Sequence, residues 1–348
     1  MNDEKLPELG KIHPEFFDSV IYPRLGAKDN SILIGPTHGI DYGVIKLGET
    51  CLSFSTDPFF IVPAYGFARA AWFAFHIIMS DVAVSGLLPR YLTVDLNLPP
   101  SITEAELSEM WGAVDREARK YGVSIITGHT ARYAGCNYPM VGGATSIATG
   151  TNAELRGPHR VKRGDLVVIT KGPAVETTGL LAISFPGKFE SAFGKEFQKK
   201  AEDIFFQMSV MDDCAIARRF KGVHAMHDAT ECGIWGGLFE MARAGNYGLR
   251  IEKERVVKQD VIVKTCEHFG IDPFTSISEG TLLAMVAAEE AEELVEEFKR
   301  NGILSSIAGE VVDRRDGIKI KENGRSTELD HPKIDPYWGL MEKLSKEI

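Results

Sequence analysis

The fold is decided by three stretches near the start of the sequence: GPTHGIDYGVI at residues 35–45, CLSFSTDPFF at residues 51–60 and IIMSDVAVSG at residues 77–86. Each carries one aspartate, Asp41, Asp57 or Asp81, where an apolar run meets a turn. Mg²⁺ takes oxygen ligands and bridges to substrate phosphates, so carboxylates gathered from separate elements are suited to hold it. Aspartate is also a common cap and turn residue, which is the structural alternative for each one alone.

Length and charge limit the function classes. At 348 residues the chain exceeds a usual single core, so two domains of about 150 residues are expected. A net charge of −10 disfavours nucleic-acid binding, because phosphate neutralisation needs clustered lysines and arginines. The N-terminus lacks a basic start followed by an apolar run, and the longest apolar stretch is too short for a bilayer. We therefore expect a cytoplasmic protein without nucleic-acid or membrane partners.

Patterning divides the chain into an N-terminal segment (1–30), a first domain (31–155), a second domain (160–330) and a C-terminal tail (331–348). Short β-rich runs alternate with helical runs in both domains, which is typical of an α/β or α+β fold. The boundary is expected in the polar stretch between Asn152 and Gly164, before the buried strand that starts at Leu166. In the second half the pattern predicts helices over 176–185, 204–220 and 234–243, and one that runs through Phe298.

The segment 101–121 is predicted to be an amphipathic helix. Ser101 and Glu104 have the spacing of a capping box, and the apolar residues that follow lie along one helical face. Gly122 ends the helix, and a β-branched run then predicts a strand up to Gly128. A loop after that strand would present His129 and Thr130, and catalytic residues are often found on such loops.

Several motifs along the chain resemble those of the aminoimidazole-ribonucleotide-synthetase (PurM-like) superfamily. The stretch 35–45 resembles its Gly-Asp/Glu-Asp-Ala-Ala-Val signature, with Gly39, Asp41, Val44 and Ile45 in register. STDPFF resembles its Thr-Asp loop, SDVAVSGLLP its Asn-Asp-Leu-Ala-Val-Ser-Gly-x-x-Pro helix terminus, and TGHT its Gly-Gly-Asp/Glu/His-Thr loop. In the second half, KGPAVETTGLLA, MHDATECGIWGG and ISEGTLLAMV match further segments in the same order.

The resemblance implies a two-domain PurM-like fold, with an N-terminal mixed sheet that pairs into a barrel in a homodimer and a C-terminal α/β domain. It implies that Mg-ATP activates an amide-type oxygen by phosphorylation, through an acyl- or imidoyl-phosphate. Asp41, Asp57 and Asp81 then become the metal ligands, and Asp57, His129 and Asp228 the catalytic candidates. The nucleotide-binding candidates carried over from the family motifs are His38, Gly39, Asp41, Asp57, Asp81, Gly128 and Thr130.

Within the superfamily, the sequence is most similar to the HypE family of hydrogenase maturation proteins. That similarity implies a carbamoyl-bearing or other small-molecule substrate and a partner in metallocentre maturation. Three departures stand out: Ile40 replaces a common acid, Ser80 replaces a common asparagine, and His129 stands where several families have an acid. The family's C-terminal cysteine is absent, since the chain ends in LSKEI and its last cysteine is Cys266, expected in a helix.

Other interpretations stay open. One is a small-molecule kinase of the thiamine-monophosphate kinase type, and another is a HypE-like assembly partner with weakened catalysis. The structural alternatives are a turn role for His38, a purely structural role for His129, and turn-capping by Asp228 and Thr230. His224 and His227 are poorly spaced for zinc on a strand, and the five single cysteines indicate neither a disulfide framework nor a zinc site. Four further residues are singled out. Glu231 and Glu279 are candidates for acid-base carboxylates, whereas Cys232 is expected to be a buried packing residue and His76 a core histidine.

Overall fold

The computed structural model describes residues 14–347. Its N-terminal half consists of six strands and three helices. These elements are α1 (Pro14–Phe16), β1 (Ile32–Ile34), β2 (Gly43–Leu47), β3 (Thr50–Phe60), α2 (Phe67–Ala83), β4 (Pro89–Leu98), α3 (Glu104–Tyr121), β5 (Ser124–Arg132) and β6 (Met140–Thr151).

The C-terminal half contributes seven strands and eight helices. They are β7 (Leu166–Thr170), α4 (Val175–Ser184), α5 (Pro186–Phe193), α6 (Lys195–Asp203), α7 (Met211–Ala217), β8 (Val223–Asp228), α8 (Gly233–Gly245), β9 (Gly248–Glu252), α9 (Asp260–Phe269), β10 (Leu282–Val286), α10 (Ala288–Arg300), β11 (Ser305–Val312), β12 (Ile318–Glu322), β13 (Arg325–Glu328) and α11 (Pro336–Ser345).

The N-terminal sheet has the strand order β1-β2-β3-β6-β4-β5, in which the edge pair β4–β5 is parallel and the other pairs are antiparallel. Helices α2 and α3 pack together on one face of this sheet. The other face leaves Tyr91, Ile126 and Met140 exposed. Within the part of the chain that the structure describes, this sheet therefore has an uncovered face with apolar side chains.

The C-terminal sheet has the order β13-β12-β9-β11-β7-β10-β8, which makes β8 an edge strand and places β10 beside it. Apart from the parallel pair β12–β9, its neighbours are antiparallel. The predicted class, a mixed α/β two-domain fold, is confirmed. None of the helices within residues 14–347 combines the length and apolar character that a membrane crossing requires.

The two halves share one hydrophobic core. Phe75 and Met79 of α2 belong to the same buried cluster as Cys214 of α7, Leu282 of β10 and Phe298 of α10. Eleven of the seventeen residues of α2 are buried, because the helix lies between the N-terminal sheet and the C-terminal half. The position of α2 fixes Asp81, near its C-terminal end, at the boundary between the halves.

The structure corrects three kinds of local prediction: the start of one helix, two loops, and one continuous helix. The capping box of α3 is formed by Thr103 and Glu106, two residues later than predicted, while the helix still ends at Gly122 in the left-handed region. Strand β5 continues through His129 to Arg132, so the expected loop after Gly128 is wrong. Asp57 likewise lies inside the long strand β3 and not on a loop.

The third correction concerns the predicted helix 204–220, which is broken. A 3₁₀ turn at Ile204–Gln207 is followed by an irregular stretch, and α7 begins at Met211. Gly280 packs against the backbone of this stretch, and its φ of +94° and the contact with Met208 leave no space for a side chain. The backbone at Gly280 therefore packs directly against residues 207–209, where the predicted helix is interrupted.

Candidate functional site

Strand alternation and the end of α2 bring two of the predicted metal ligands together. Ser55 and Asp57 point to the face of β3 that α2 covers, and the Ser55 hydroxyl donates to Asp81 Oδ2 over 2.9 Å. Burial raises the pKa of Asp81 well above its ordinary value, and the neighbouring carboxyls of Asp57 and Asp41 raise it further. Two like charges in one buried place are costly, so this pair favours a bound cation or a proton.

Asp41 forms an ion pair with the C-terminal half. His227 Nδ1 lies 2.7 Å from Asp41 Oδ2, and His227 Nε2 lies 3.3 Å from Glu240 Oε2. Burial alone would lower the pKa of His227, but Asp41 and Glu240 outweigh it and raise the pKa to about 10. His227 is therefore a charged imidazolium that holds Asp41 in place. Gly39 has a φ of +79°, and a Cβ there would lie 2.6 Å from the Glu240 carbonyl oxygen, so only glycine fits this approach.

A second carboxyl pair lies at the edge of the C-terminal sheet. Asp228 ends β8 and its Oδ1 accepts a hydrogen bond from the backbone of Gly280 over 3.0 Å. Burial raises the pKa of Asp228 to about 6, and burial together with Asp228 raises the pKa of Glu279 well above its ordinary value. Asp228 Oδ2 and Glu279 Oε1 are both buried without another hydrogen-bond partner among residues 14–347. One proton held between these two carboxyl groups would satisfy both oxygens.

Two further ionisable side chains, Glu176 and Lys171, lie beside that pair. Glu176, in the first turn of α4, accepts a hydrogen bond from the Glu279 backbone over 3.1 Å, and burial raises its pKa to about 8. Lys171 follows β7, and its ammonium donates to Asp213, to the Ser209 carbonyl and to the Gly280 carbonyl at 2.6–2.8 Å. Its charge lowers the pKa of Asp228 against the effect of burial.

We call Asp41, Asp57, Asp81, Asp228 and Glu279 the acidic cluster, because each changes the pKa of at least one of the others. Among residues 14–347, no three His, Cys, Asp or Glu side chains are placed so that they could hold a metal ion jointly. Mg²⁺ commonly takes one or two carboxylates and completes its shell with water and phosphate oxygens. The Asp57–Asp81 pair fits that donor set, whereas Asp41 is already engaged by His227.

Other predicted site residues lie apart from these contacts. His129 is exposed on β5, where its Nε2 lies 2.8 Å from the Tyr133 hydroxyl. Thr130 is exposed on the same strand, and a Cβ on Gly128 would collide with the Val94 carbonyl of β4. His38 is in contact with the N-terminal segment, with its Nε2 2.9 Å from Asp18. Their predicted nucleotide and catalytic roles stay predictions.

The departures from the family motifs also have structural explanations. Ile40 is partly buried against the shared core, and Ser80 is fully buried with its hydroxyl accepting from the Val210 backbone over 3.2 Å.

Cys266 is buried in α9, as predicted. His224 pairs with Asp165 over 2.7 Å, so it turns to a different partner from His227. Cys232 is buried with its backbone N–H bound to Asp335.

Sequence reasoning missed the roles of Lys171, Glu176 and Glu240. Lys171 and Glu176 lie inside the quoted motif KGPAVETTGLLA, so the signal was present, but nothing in the sequence shows that they face Glu279 and Gly280. The sequence suggests Glu279 as an acid-base candidate together with Glu231. The structure pairs it with Asp228, while Glu231 accepts from the indole of Trp338 over 3.2 Å.

Comparison with protein families tests the resemblance. A model of the N-terminal domain of AIR synthase related proteins matches residues 39–150, and the model of their C-terminal domain matches residues 162–321. The chain belongs to the AIR synthase related proteins. The acidic cluster of this AIR synthase related protein draws Asp41, Asp57 and Asp81 from the first matched region, and Asp228 and Glu279 from the second.

Two curated relatives span most of the chain. A putative hydrogenase expression/formation protein of Methanocaldococcus jannaschii is 22% identical over 330 residues, which is 94% of this chain and 96% of the relative. Carbamoyl dehydratase HypE of Escherichia coli is 25% identical over 296 residues, covering 82% of this chain and 83% of the relative.

Three solved structures share the fold. HypE in a HypE–HypF complex has a TM-score of 0.68 at 20% identity and covers 83% of this chain and 93% of its own. HypE in complex with ATP has a TM-score of 0.64 at 20% identity and covers 93% of both chains. AaThiL complexed with AMPPCP and TMP has a TM-score of 0.66 at 16% identity and covers 84% of this chain and 90% of its own.

Proposed function

We propose that this AIR synthase related protein binds Mg-ATP at Asp41, Asp57 and Asp81 and activates an amide or carbamoyl oxygen by phosphorylation, as a HypE-like hydrogenase maturation factor. The fold-level match to HypE in complex with ATP supports the nucleotide. The curated relatives, one a carbamoyl dehydratase and one a putative hydrogenase formation protein, support the reaction and its setting.

The observation that carries the proposal is the buried Asp228–Glu279 pair beside the three aspartates. A carboxyl group kept protonated by burial and by a like neighbour can donate a proton at neutral pH. Asp228 and Glu279 would protonate the group that leaves the activated substrate. His227, as a fixed cation, orients Asp41 across the boundary between the halves.

When Mg-ATP is bound, ATP would supply the phosphoryl group and Mg²⁺ would offset the negative charge of the phosphates. Asp57 and Asp81 are the residues that would hold the cation, because their carboxyls are adjacent and the pKa of Asp81 is raised by that proximity. Asp41, which His227 holds in place, would contribute a further carboxylate to the same site. His38, Gly39, Gly128 and Thr130 remain candidates for nucleotide contacts, and His129 a candidate for catalysis.

The proposal includes partners. We expect a homodimer formed through the uncovered face of the N-terminal sheet, since the exposed Tyr91, Ile126 and Met140 offer apolar area to a second copy. The structure of HypE in complex with HypF supports a maturation partner for this chain. Sedimentation velocity on the full chain, compared with an Ile126→Lys variant, tests the homodimer.

Calorimetric titration with ATP and Mg²⁺ tests the site. Wild-type protein is expected to bind, whereas Asp57→Asn should weaken binding by at least about tenfold because one cation ligand is lost. Asp95→Asn is the matched control, since Asp95 is an exposed aspartate of the same sheet and pairs with Asn97. Equal affinity of the Asp57→Asn and Asp95→Asn variants, or no binding by wild type at millimolar ATP, would contradict the proposal.

A kinase of the thiamine-monophosphate kinase type is the second candidate, supported by the AaThiL structure with AMPPCP and TMP. Analysis of the products separates the two. A phosphorylated metabolite that retains the transferred phosphate favours the kinase, and free phosphate with a dehydrated or condensed product favours the HypE-like reaction. Nucleotide binding without turnover would favour the assembly partner with weakened catalysis.

A further inference from the structure

A cavity of about 520 Å³ lies between α2, α3, α7 and the segment 301–304, away from the proposed nucleotide residues. Trp72, Tyr121 and Phe206 give it an aromatic wall. Its polar side includes His76 and Ser209. Phe206 is 52% exposed at this surface, so the cavity opens to solvent beside an apolar contact area.

Two side chains of this cavity, His76 and Ser209, form a continuous hydrogen-bonded chain with Glu117. His76 Nδ1 lies 2.7 Å from Ser209 Oγ, and His76 Nε2 lies 3.1 Å from Glu117 Oε2. Trp72 fixes the plane of the imidazole, with ring centroids 4.2 Å apart. Both ring nitrogens of His76 are therefore hydrogen-bonded, and the imidazole connects a carboxylate to a hydroxyl at the cavity wall.

The charges of the chain determine where its protons lie. Burial lowers the pKa of His76 and outweighs the opposing effect of Glu117, so the imidazole is neutral. The hydrogen bond to His76 lowers the pKa of Glu117, so that carboxylate is ionised. A carboxylate only accepts, hence His76 carries its proton on Nε2 and leaves the Nδ1 lone pair for the Ser209 hydroxyl. That is the tautomer a general base needs at a serine nucleophile.

We propose that Ser209, His76 and Glu117 form a second active site, separate from the nucleotide site, that hydrolyses small carboxylic esters with an apolar acyl group. Ser209 Oγ attacks the ester carbonyl carbon while His76 Nδ1 takes its proton. The C–O bond to the alcohol then breaks, and the alcohol leaves with that proton. Water, deprotonated by the same nitrogen, cleaves the acyl-Ser209 ester and releases the carboxylic acid.

The surroundings of Ser209 suit this role. Its carbonyl accepts from Lys171 Nζ over 2.6 Å, and its hydroxyl accepts from the Met211 backbone over 3.3 Å, so the residue is held on both sides. Lys120 lines the same cavity and lies close enough to His76 to affect its pKa. Its ammonium, which also donates to the Tyr121 hydroxyl over 2.9 Å, would stabilise the negative charge that develops on the carbonyl oxygen. The aromatic wall fits an apolar acyl group.

A fluorophosphonate probe tests the proposal on the full-length protein. Ser209 Oγ should displace fluoride and become covalently labelled, which peptide mass mapping detects at that residue. Ser209→Ala should abolish both the label and hydrolysis of p-nitrophenyl acetate. Ser306→Ala is the matched control, because Ser306 is also half-buried at a surface hollow and its hydroxyl binds a backbone N–H.

A second variant separates catalysis from structure. Glu117→Gln keeps a hydrogen-bonding side chain but removes the charge, and labelling of Ser209 should slow by at least about tenfold. Asp57→Asn should leave labelling unchanged, which distinguishes this site from the nucleotide site. Wild-type protein that melts cooperatively but carries no label at Ser209 would overturn the proposal, and so would equal labelling rates in wild type and a folded Glu117→Gln variant.

Discussion

Lys171 lines the cavity beside α7 and its charge lowers the pKa of Asp228 in the acidic cluster, yet the two regions have opposite effects on their carboxyl groups. In the cluster, burial and neighbouring carboxyl groups raise the pKa values of Asp81 and Glu279. These two groups therefore stay protonated at a higher pH than carboxyl groups in water. In the cavity, a neutral imidazole lowers the pKa of Glu117, so the fold keeps that carboxylate ionised. The first arrangement calls for a cation or an acid role, and the second for a base.

The largest effect is expected on turnover, when the acidic cluster loses the group that would act as its general acid. Glu279→Gln removes the group that holds a proton with Asp228, so turnover in the ATP-dependent reaction should fall about 100-fold, as expected for a lost general acid. ATP affinity should stay within about twofold, and labelling of Ser209 should not change. Steady-state kinetics and calorimetry on the same preparation measure this.

Glu328→Gln is the control for that variant, because Glu328 is exposed on β13. If the Glu279→Gln and Glu328→Gln variants turned over equally fast, Glu279 would not act as a general acid. A loss of ATP binding that matched the loss of turnover would instead show that Glu279 serves the nucleotide and not the proton.

The next two predictions compare how the stability contributed by each region depends on pH. Burial gives Glu176 a pKa of about 8 in the folded chain against an ordinary value of 4.5, so its stabilising contribution is present below about pH 4.5 and is lost as pH rises through 8. Glu176→Gln removes that loss and should raise the melting temperature at pH 8.5 by roughly 3 °C, with little change at pH 4.5.

The same measurement on the cavity should give the opposite sign. The pKa of Glu117 is lowered by His76, so its contribution is present above the ordinary pKa and is lost as pH falls. Glu117→Gln should therefore melt below wild type at pH 8.5, and the difference should narrow toward pH 4. Thermal melts of both variants across this range test the contrast, and shifts of the same sign at pH 8.5 would refute it.

Much of the acidic cluster was accessible from sequence because motif order identified Asp41, Asp57, Asp81 and Asp228. The pairing of Asp41 with His227 was not, since it joins two halves whose relative placement no local pattern encodes. Gly128 was misread as a strand end. Glycine is required there because β5 approaches Val94 of β4 too closely for a side chain, and the strand continues.

The cavity was hidden from sequence for a related reason. His76 was correctly expected to be buried on an apolar helix, but its partners Glu117 and Ser209 come from α3 and from the irregular stretch before α7. That stretch was predicted as helix, and periodicity favours that interpretation. Gly280 and Ser80 hold it in a non-helical form, so tertiary contacts override local preference.

The smallest expected effect tests how the irregular stretch is held. Ser80 Oγ accepts from the Val210 N–H inside the core, and Ser80→Ala leaves that donor buried without a partner. The free energy of unfolding should fall by about 1–2 kcal/mol, measured by urea denaturation. Ser101→Ala, at an exposed position, should change it by less than about 0.5 kcal/mol. Because Val210 adjoins Ser209, labelling of Ser209 should slow in Ser80→Ala while ATP binding is retained, and unchanged labelling would show that Lys171 and Met211 alone suffice to hold the serine.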